Sequence, residues 1–134
     1  MSFDLSFEKL IYFDTGKPSI SLEVEIRLAD LSSKLEAKVD TGSTYCVFKR
    51  KHGEELGLEI EQGTPQSIST TTGSFSAFGH SVTLITNDLT FDSVVFFAEN
   101  ESFNRNVLGR HGWLDRVIVA INDYEGKLYL SRYE

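Results

Sequence analysis

The stretch KVDTGSTYCVF, residues 38–48, decides how this chain is read. KLEAKV (34–39) leads into it and sets Leu35, Ala37 and Val39 in alternation with polar residues, the period of a half-buried strand. Asp40 falls where that strand ends. Thr41, Gly42 and Ser43 follow it, and Cys46, Val47 and Phe48 return the chain to apolar surroundings. A carboxylate at the tip of a turn between two buried strands is placed as a positioned general base must be. Gly42 is expected to permit close backbone approach to that turn. The plainer reading, in which Asp-Thr-Gly is ordinary turn chemistry, stays open on the tripeptide alone.

Working outward, the chain reads as strands. SISLEVEIRL (19–28) puts Ile20, Leu22, Val24, Ile26 and Leu28 on one face and Ser21, Glu23, Glu25 and Arg27 on the other. A turn is expected at DLSSK (30–34), making a hairpin that delivers Asp40. YCVFK (45–49) reads as a short strand, and KHGEELG (51–57) as one or two helical turns stopped by Gly57. Residues 67–85 read as a hairpin with Thr72-Gly73 at its tip. The apolar phase changes near Phe78-Gly79, which predicts a bulge. FDSVVFFA (91–98) predicts a central strand covered on both faces, VLGRHGWLD (107–115) a short helix, and VIVAI with KLYLSRY a last hairpin. The expectation is an all-β fold with one or two short helices, residues 1–134 forming one domain.

Composition narrows the function classes. A net charge of -7 opposes a surface built for nucleic acid or anionic membrane, and Lys49-Arg50-Lys51 is too small a cluster to offset it. No apolar run nears the ~20 residues that span a bilayer. MSFDLSFEKL carries Asp4 and Glu8 and lacks a basic start, so no ordinary signal peptide is expected. With a single cysteine, Cys46, the chain suits a reducing, cytoplasmic setting, and an apolar strand around that thiol predicts a buried, inert group. His52, His80 and His111 show no ligand spacing, so neither a metal nor another cofactor is expected. Asn100-Glu101-Ser102 fits a glycosylation acceptor but reads as plain surface, and Trp113 reads as a core anchor.

A second Asp-Thr-Gly stands at Asp14–Gly16, followed by Lys17-Pro18. Proline cannot donate to a sheet ladder, so this copy reads as a surface turn.

AKVDTGSTYCVF, HGEELGLEI, the Ser/Thr-rich hairpin with Gly73, NVLGRHGWL and the last hairpin, taken in that order, resemble the retropepsin-like, single-domain aspartic proteases. VDTGS and VLGR are the specific pieces, and the match runs from about residue 20 to residue 131. The resemblance implies half of a closed acid-protease β-barrel, active as a two-fold homodimer that cleaves peptide or protein substrates, with Asp40 catalytic. It implies support of the active-site loop by Thr41, Gly42, Ser43, Leu108, Gly109 and Arg110, with Thr41 bracing two such loops across the dimer. It also implies that Thr71, Thr72 and Gly73 form a flap over substrate. The Ser43 hydroxyl is expected to donate to the outer oxygen of Asp40, favouring the charged form. Retroviral members carry acidic residues just after the motif, whereas Thr44 and Tyr45 stand here, so Arg110 lacks the usual partner. Residues 1–18 extend beyond the family core, and the Phe3, Leu5, Phe7 alternation suits an edge strand or a cover for the dimer seam, with a propeptide-like segment as a third reading. A silent dimerisation or peptide-binding domain of the same fold is the alternative.

Overall fold

A computed structural model describes residues 1–133. In chain order its strands are β1 (Lys9–Tyr12), β2 (Ser21–Leu28), β3 (Leu31–Val39), β4 (Val47–Phe48), β5 (Thr64–Thr70), β6 (Gly73–Thr86), β7 (Leu89–Ala98), β8 (Val107–Leu108), β9 (Val117–Asn122) and β10 (Lys127–Arg132). One short helix, α1 (Arg50–Glu55), follows β4, and three-residue 3-10 turns lie at Ile60–Gln62 and Leu114–Arg116. Gly57 stops α1 in the left-handed region, φ 78°. Among the described residues, no helix is long and apolar enough to cross a membrane.

The alternation in β2 acts as expected. Leu22, Val24 and Ile26 are buried, and Leu35 and Ala37 face them from β3. The hairpin between β2 and β3 is tighter than the polar run 30–34 suggests: Leu28 pairs with Leu31 across Ala29-Asp30, with Ala29 at φ 53°. Ser32, Ser33 and Lys34 are therefore strand residues, and Ser33 is buried. From β3 the sheet runs β2-β3-β8-β4-β7-β6-β5, and β6 also pairs with β2 through Glu25–Ile85, Ile26–Leu84 and Arg27–Thr83. That last pairing closes a six-strand ring around the core of Phe48, Phe97, Leu108 and Trp113. A separate sheet, β1-β10-β9, flanks it.

Three expectations are corrected. The segment 107–115 is not a helix: Val107-Leu108 is a strand, and only Leu114–Arg116 makes a 3-10 turn. No bulge interrupts β6, whose register with β7 runs unbroken from Ala77–Ala98 to Thr86–Leu89. The burial phase shifts because Phe75 and Ala77 pack in one cluster, while Val82 and Leu84 pack on the opposite face in the barrel core. The N-terminal edge strand lies at Lys9–Tyr12 against β10, later than the Phe3–Phe7 alternation; Phe3 and Leu5 are exposed and Phe7 stacks on Tyr129. In β7 the half from Val95 to Ala98 is covered on both faces, whereas Val94 is exposed.

Candidate active site

The loop 40–46 joins β3 to β4, and β8 lies between those two strands. Lys38 and Val39 pair in parallel with Val107 and Leu108, while Val47 pairs antiparallel with Val107. One two-residue strand thus holds both ends of the Asp40 loop. The Asp40 N–H donates to the Leu108 carbonyl at 3.0 Å, the Arg110 N–H to Ser43 O at 2.8 Å, and the His111 N–H to Thr44 O at 2.8 Å. Gly109 fits because it has no side chain: a Cβ there would stand 2.8 Å from Ser43 O and closer still to the Tyr45 carbonyl. Within the chain, the close approach expected at Gly42 is therefore made at Gly109. A Cβ on Gly42 would meet only the Asp40 carboxylate, at 3.3 Å.

Asp40 is half-buried, and its Oδ1 accepts the Gly42 N–H at 2.9 Å. The Ser43 hydroxyl does not donate to this carboxylate. It donates to Tyr45 O at 2.7 Å, bracing the turn rather than the charge. Cys46 closes the loop from beneath: it is fully buried, accepts the Gly109 N–H at 3.4 Å, and burial pushes its thiol up to about 12. Trp113 is fully buried as well, its indole N–H donating to the Thr86 hydroxyl at 3.3 Å.

A cleft opens in front of the loop. Asp40, Gly42 and Ser43 line it on one side, and Ile68, Ser69, Thr70 and Thr71 from the β5–β6 hairpin overhang it. The hairpin turn is Thr71-Thr72, one residue earlier than expected, with Thr70 paired to Gly73. Thr71 reaches the cleft; Thr72 and Gly73 form the outer end. Leu108 and Gly109 lie buried behind the loop, whereas Thr41 and Arg110 are exposed. Arg110 makes no ion pair among the described residues, and the His111 ring sits 6.2 Å from Tyr45 and 3.5 Å from the Asp115 carboxylate.

The motif at Asp14 folds the same way locally. Gly16 N–H donates to Asp14 Oδ1 at 2.8 Å and Lys17 N–H to Asp14 O at 3.3 Å. This Asx turn is thus intrinsic to the tripeptide. Residues 14–18 are all exposed, so the setting and not the turn separates the two copies.

Several residues at the site carry no motif in the sequence. Asn106 is buried just before β8; its carbonyl accepts the Lys38 N–H (2.9 Å), its side-chain oxygen the Lys49 N–H (2.9 Å), and its amide donates to Glu36 O (3.2 Å). It also donates to His52 Nε2 (3.3 Å), while His52 Nδ1 faces the Ser33 hydroxyl (2.9 Å) and Glu55 (3.2 Å). Burial holds the His52 pKa below its usual value, against the pull of Glu55. His80 turns its Nε2 to Ile60 O, so each histidine has its own neighbours, and no group of His, Cys, Asp or Glu among the described residues is placed to hold a metal. Phe103 and Arg105 complete the cleft wall beside Val107 of the VLGR piece, and neither of those two was signalled by pattern.

Residues 24–111 match the Aspartyl protease family model, well over half of the chain. A retropepsin-like aspartic protease from Rickettsia conorii is similar in structure, with TM-score 0.64 and 14% identity, covering 92% of this chain and 97% of its own. The EIAV protease complexed with the inhibitor HBY-793 gives TM-score 0.55 and 20% identity, covering 70% and 84%. No curated protein matches the sequence. With its closed barrel and its Asp40 loop clamped by β8, the chain belongs to the aspartyl protease family and has the retropepsin-like fold.

Proposed function

We propose that the protein is an aspartic endopeptidase that works as a homodimer, Asp40 from each of two identical subunits sharing one water. One observation carries this reading. The cleft is lined by a single carboxylate, Asp40, one oxygen of which is held by the loop amide. Acid–base hydrolysis of an amide needs two such groups, and a two-fold axis supplies the second. Asp14 lies on an exposed turn outside this cleft lining and is not the partner.

Two carboxylates at one site hold one proton between them. The ionised member takes a proton from the water as its oxygen attacks the scissile carbonyl, and the protonated member donates to the carbonyl oxygen. Collapse of the tetrahedral intermediate breaks the C–N bond, and a carboxyl proton passes to the leaving amine. The apparent pKa values of such a pair belong to the dyad. The β5–β6 hairpin acts as the flap, Thr71, Thr72 and Gly73 at its end, and substrate binds extended beneath it. Thr41, exposed at the loop tip, faces the partner loop, and Ser43, Leu108, Gly109 and Arg110 support the loop from within. Residues 1–134 act as one protease domain in a reducing, cytoplasmic setting, with 1–18 as an extension anchored by β1.

The test is digestion of a diverse peptide mixture from about pH 3.5 to about pH 7.5, read by mass spectrometry. Cleavage by wild type and by Asp14→Asn, lost in Asp40→Asn, supports the protease. A dimeric wild type that cleaves nothing at any pH favours instead a silent peptide-binding domain.

A further inference from the structure

Arg105 is the only basic residue among those lining the Asp40 cleft. Its backbone is fixed by its neighbours. Asn106 is buried and bonded to β3 and to Lys49, and Val107 belongs to β8. Its side chain, in contrast, is exposed and makes no ion pair among the described residues. Arg27, Arg50 and Arg132 pair with glutamates and Arg116 covers the Phe91 ring, whereas Arg110, also without an ion pair, lies outside the Asp40 cleft lining.

The surroundings of Arg105 define what it can bind. On its cleft side, Phe103 packs on Phe75 with ring centroids 4.7 Å apart, an apolar wall. On its other side a polar groove continues to Lys38; Glu36, the acid in that groove, is engaged by Lys17 at 3.5 Å. A peptide leaving the Phe75–Phe103 wall therefore passes a guanidinium with open donors, backed by a second cation. Guanidinium matches carboxylate in a two-point hydrogen-bonded pair, and closure of the cleft over a peptide excludes the water that weakens such pairs.

We propose that Arg105 is a specificity-determining residue that selects substrates bearing an Asp or Glu side chain within a few residues of an apolar scissile pair. The proposal deepens the protease reading and rests on it for the word substrate; the binding preference stands on Arg105 alone.

The test uses decapeptides with a central Phe-Leu, in which Glu replaces Gln at each of three positions on either side. Wild type is expected to cleave at least one Glu peptide with kcat/KM about tenfold above its Gln counterpart, as for a hydrogen bond to a charged group. Arg105→Gln is expected to bring that ratio to about one, and Arg105→Glu to favour a Lys peptide at the same position. Fluorescence anisotropy with the same labelled peptides on Asp40→Asn, with and without Arg105→Gln, reads the preference without catalysis. Equal handling of Glu and Gln peptides by wild type, or a preference that survives Arg105→Gln, overturns the proposal. If wild type cleaves none of these peptides, the diverse-mixture digestion decides the protease reading and the anisotropy pair alone decides Arg105: a Glu preference lost with Arg105→Gln supports it, and equal binding overturns it.

Discussion

Replacing Gly109 with alanine tests whether the Asp40 loop is locked from behind by β8. The new Cβ would meet Tyr45 C at 2.7 Å and Ser43 O at 2.8 Å, with Tyr45 O nearer still. All three are backbone atoms, so no side chain can swing away. The loop must move by roughly an ångström to restore ordinary contact with the Tyr45 carbonyl, an overpacking cost toward the upper end of about 1–3 kcal/mol. That movement stretches the bonds from Arg110 N–H to Ser43 O and from His111 N–H to Thr44 O, both 2.8 Å. Weakening them adds about 1 kcal/mol. A total near 3 kcal/mol lowers the Tm of a domain this size by about 10 °C while leaving it folded. Gly42→Ala is the matched control, since its Cβ meets only the Asp40 carboxylate at 3.3 Å. Thermal unfolding of the two variants beside wild type reads the difference directly. Equal Tm values for Gly109→Ala and Gly42→Ala would refute the locking argument.

Ser43→Ala is expected to leave the pH profile of cleavage unmoved and to cost about 1 kcal/mol of stability, because the hydroxyl bonds Tyr45 O and not the carboxylate; a shifted profile contradicts this. Cys46 is expected to resist a thiol reagent at about pH 8 in the native state and to react once unfolded, its thiol being buried and pushed up to about 12; labelling stoichiometry with and without denaturant checks it. Burial lowers the folded pKa of His52, so the unfolded chain binds the extra proton first and His52 stability is lost as pH falls below the unfolded value of 6.5. Wild-type Tm is therefore expected to fall more between about pH 7.5 and about pH 5.5 than that of His52→Gln, and equal falls would remove His52 as the cause.

Much of the barrel was legible in the alternation of 19–39, because each of those strands has one wet and one buried face and the period of two survives in the residues. The Asp40 turn was legible for a different reason: Asp-Thr-Gly carries its own Asx geometry, as the exposed copy at Asp14 demonstrates. What the sequence concealed depends on distant partners. Val107-Leu108 is too short to show a period, and it is a strand only because β3 and β4 flank it. Gly109 and Gly112 look like helix-weakening residues until the Tyr45 and Val94 carbonyls are placed against them. The phase change in β6 reads as a bulge locally, yet it records which face the rest of the molecule covers. Asn106 ties together Glu36, Lys38, Lys49 and His52, contacts that no window of sequence contains. Arg105 likewise has no motif and stands out only once the lining of the Asp40 cleft is known.

The central claim is that each active site is built from Asp40 of two chains, and mixing tests it most directly. Wild type and Asp40→Asn are combined at equal concentration, allowed to exchange subunits fully, and assayed on a peptide that wild type cleaves. If one carboxylate comes from each chain, only wild-type pairs are active, and about a quarter of the activity of the same total protein as wild type remains. If about half remains, each chain carries a complete site and the shared dyad is contradicted.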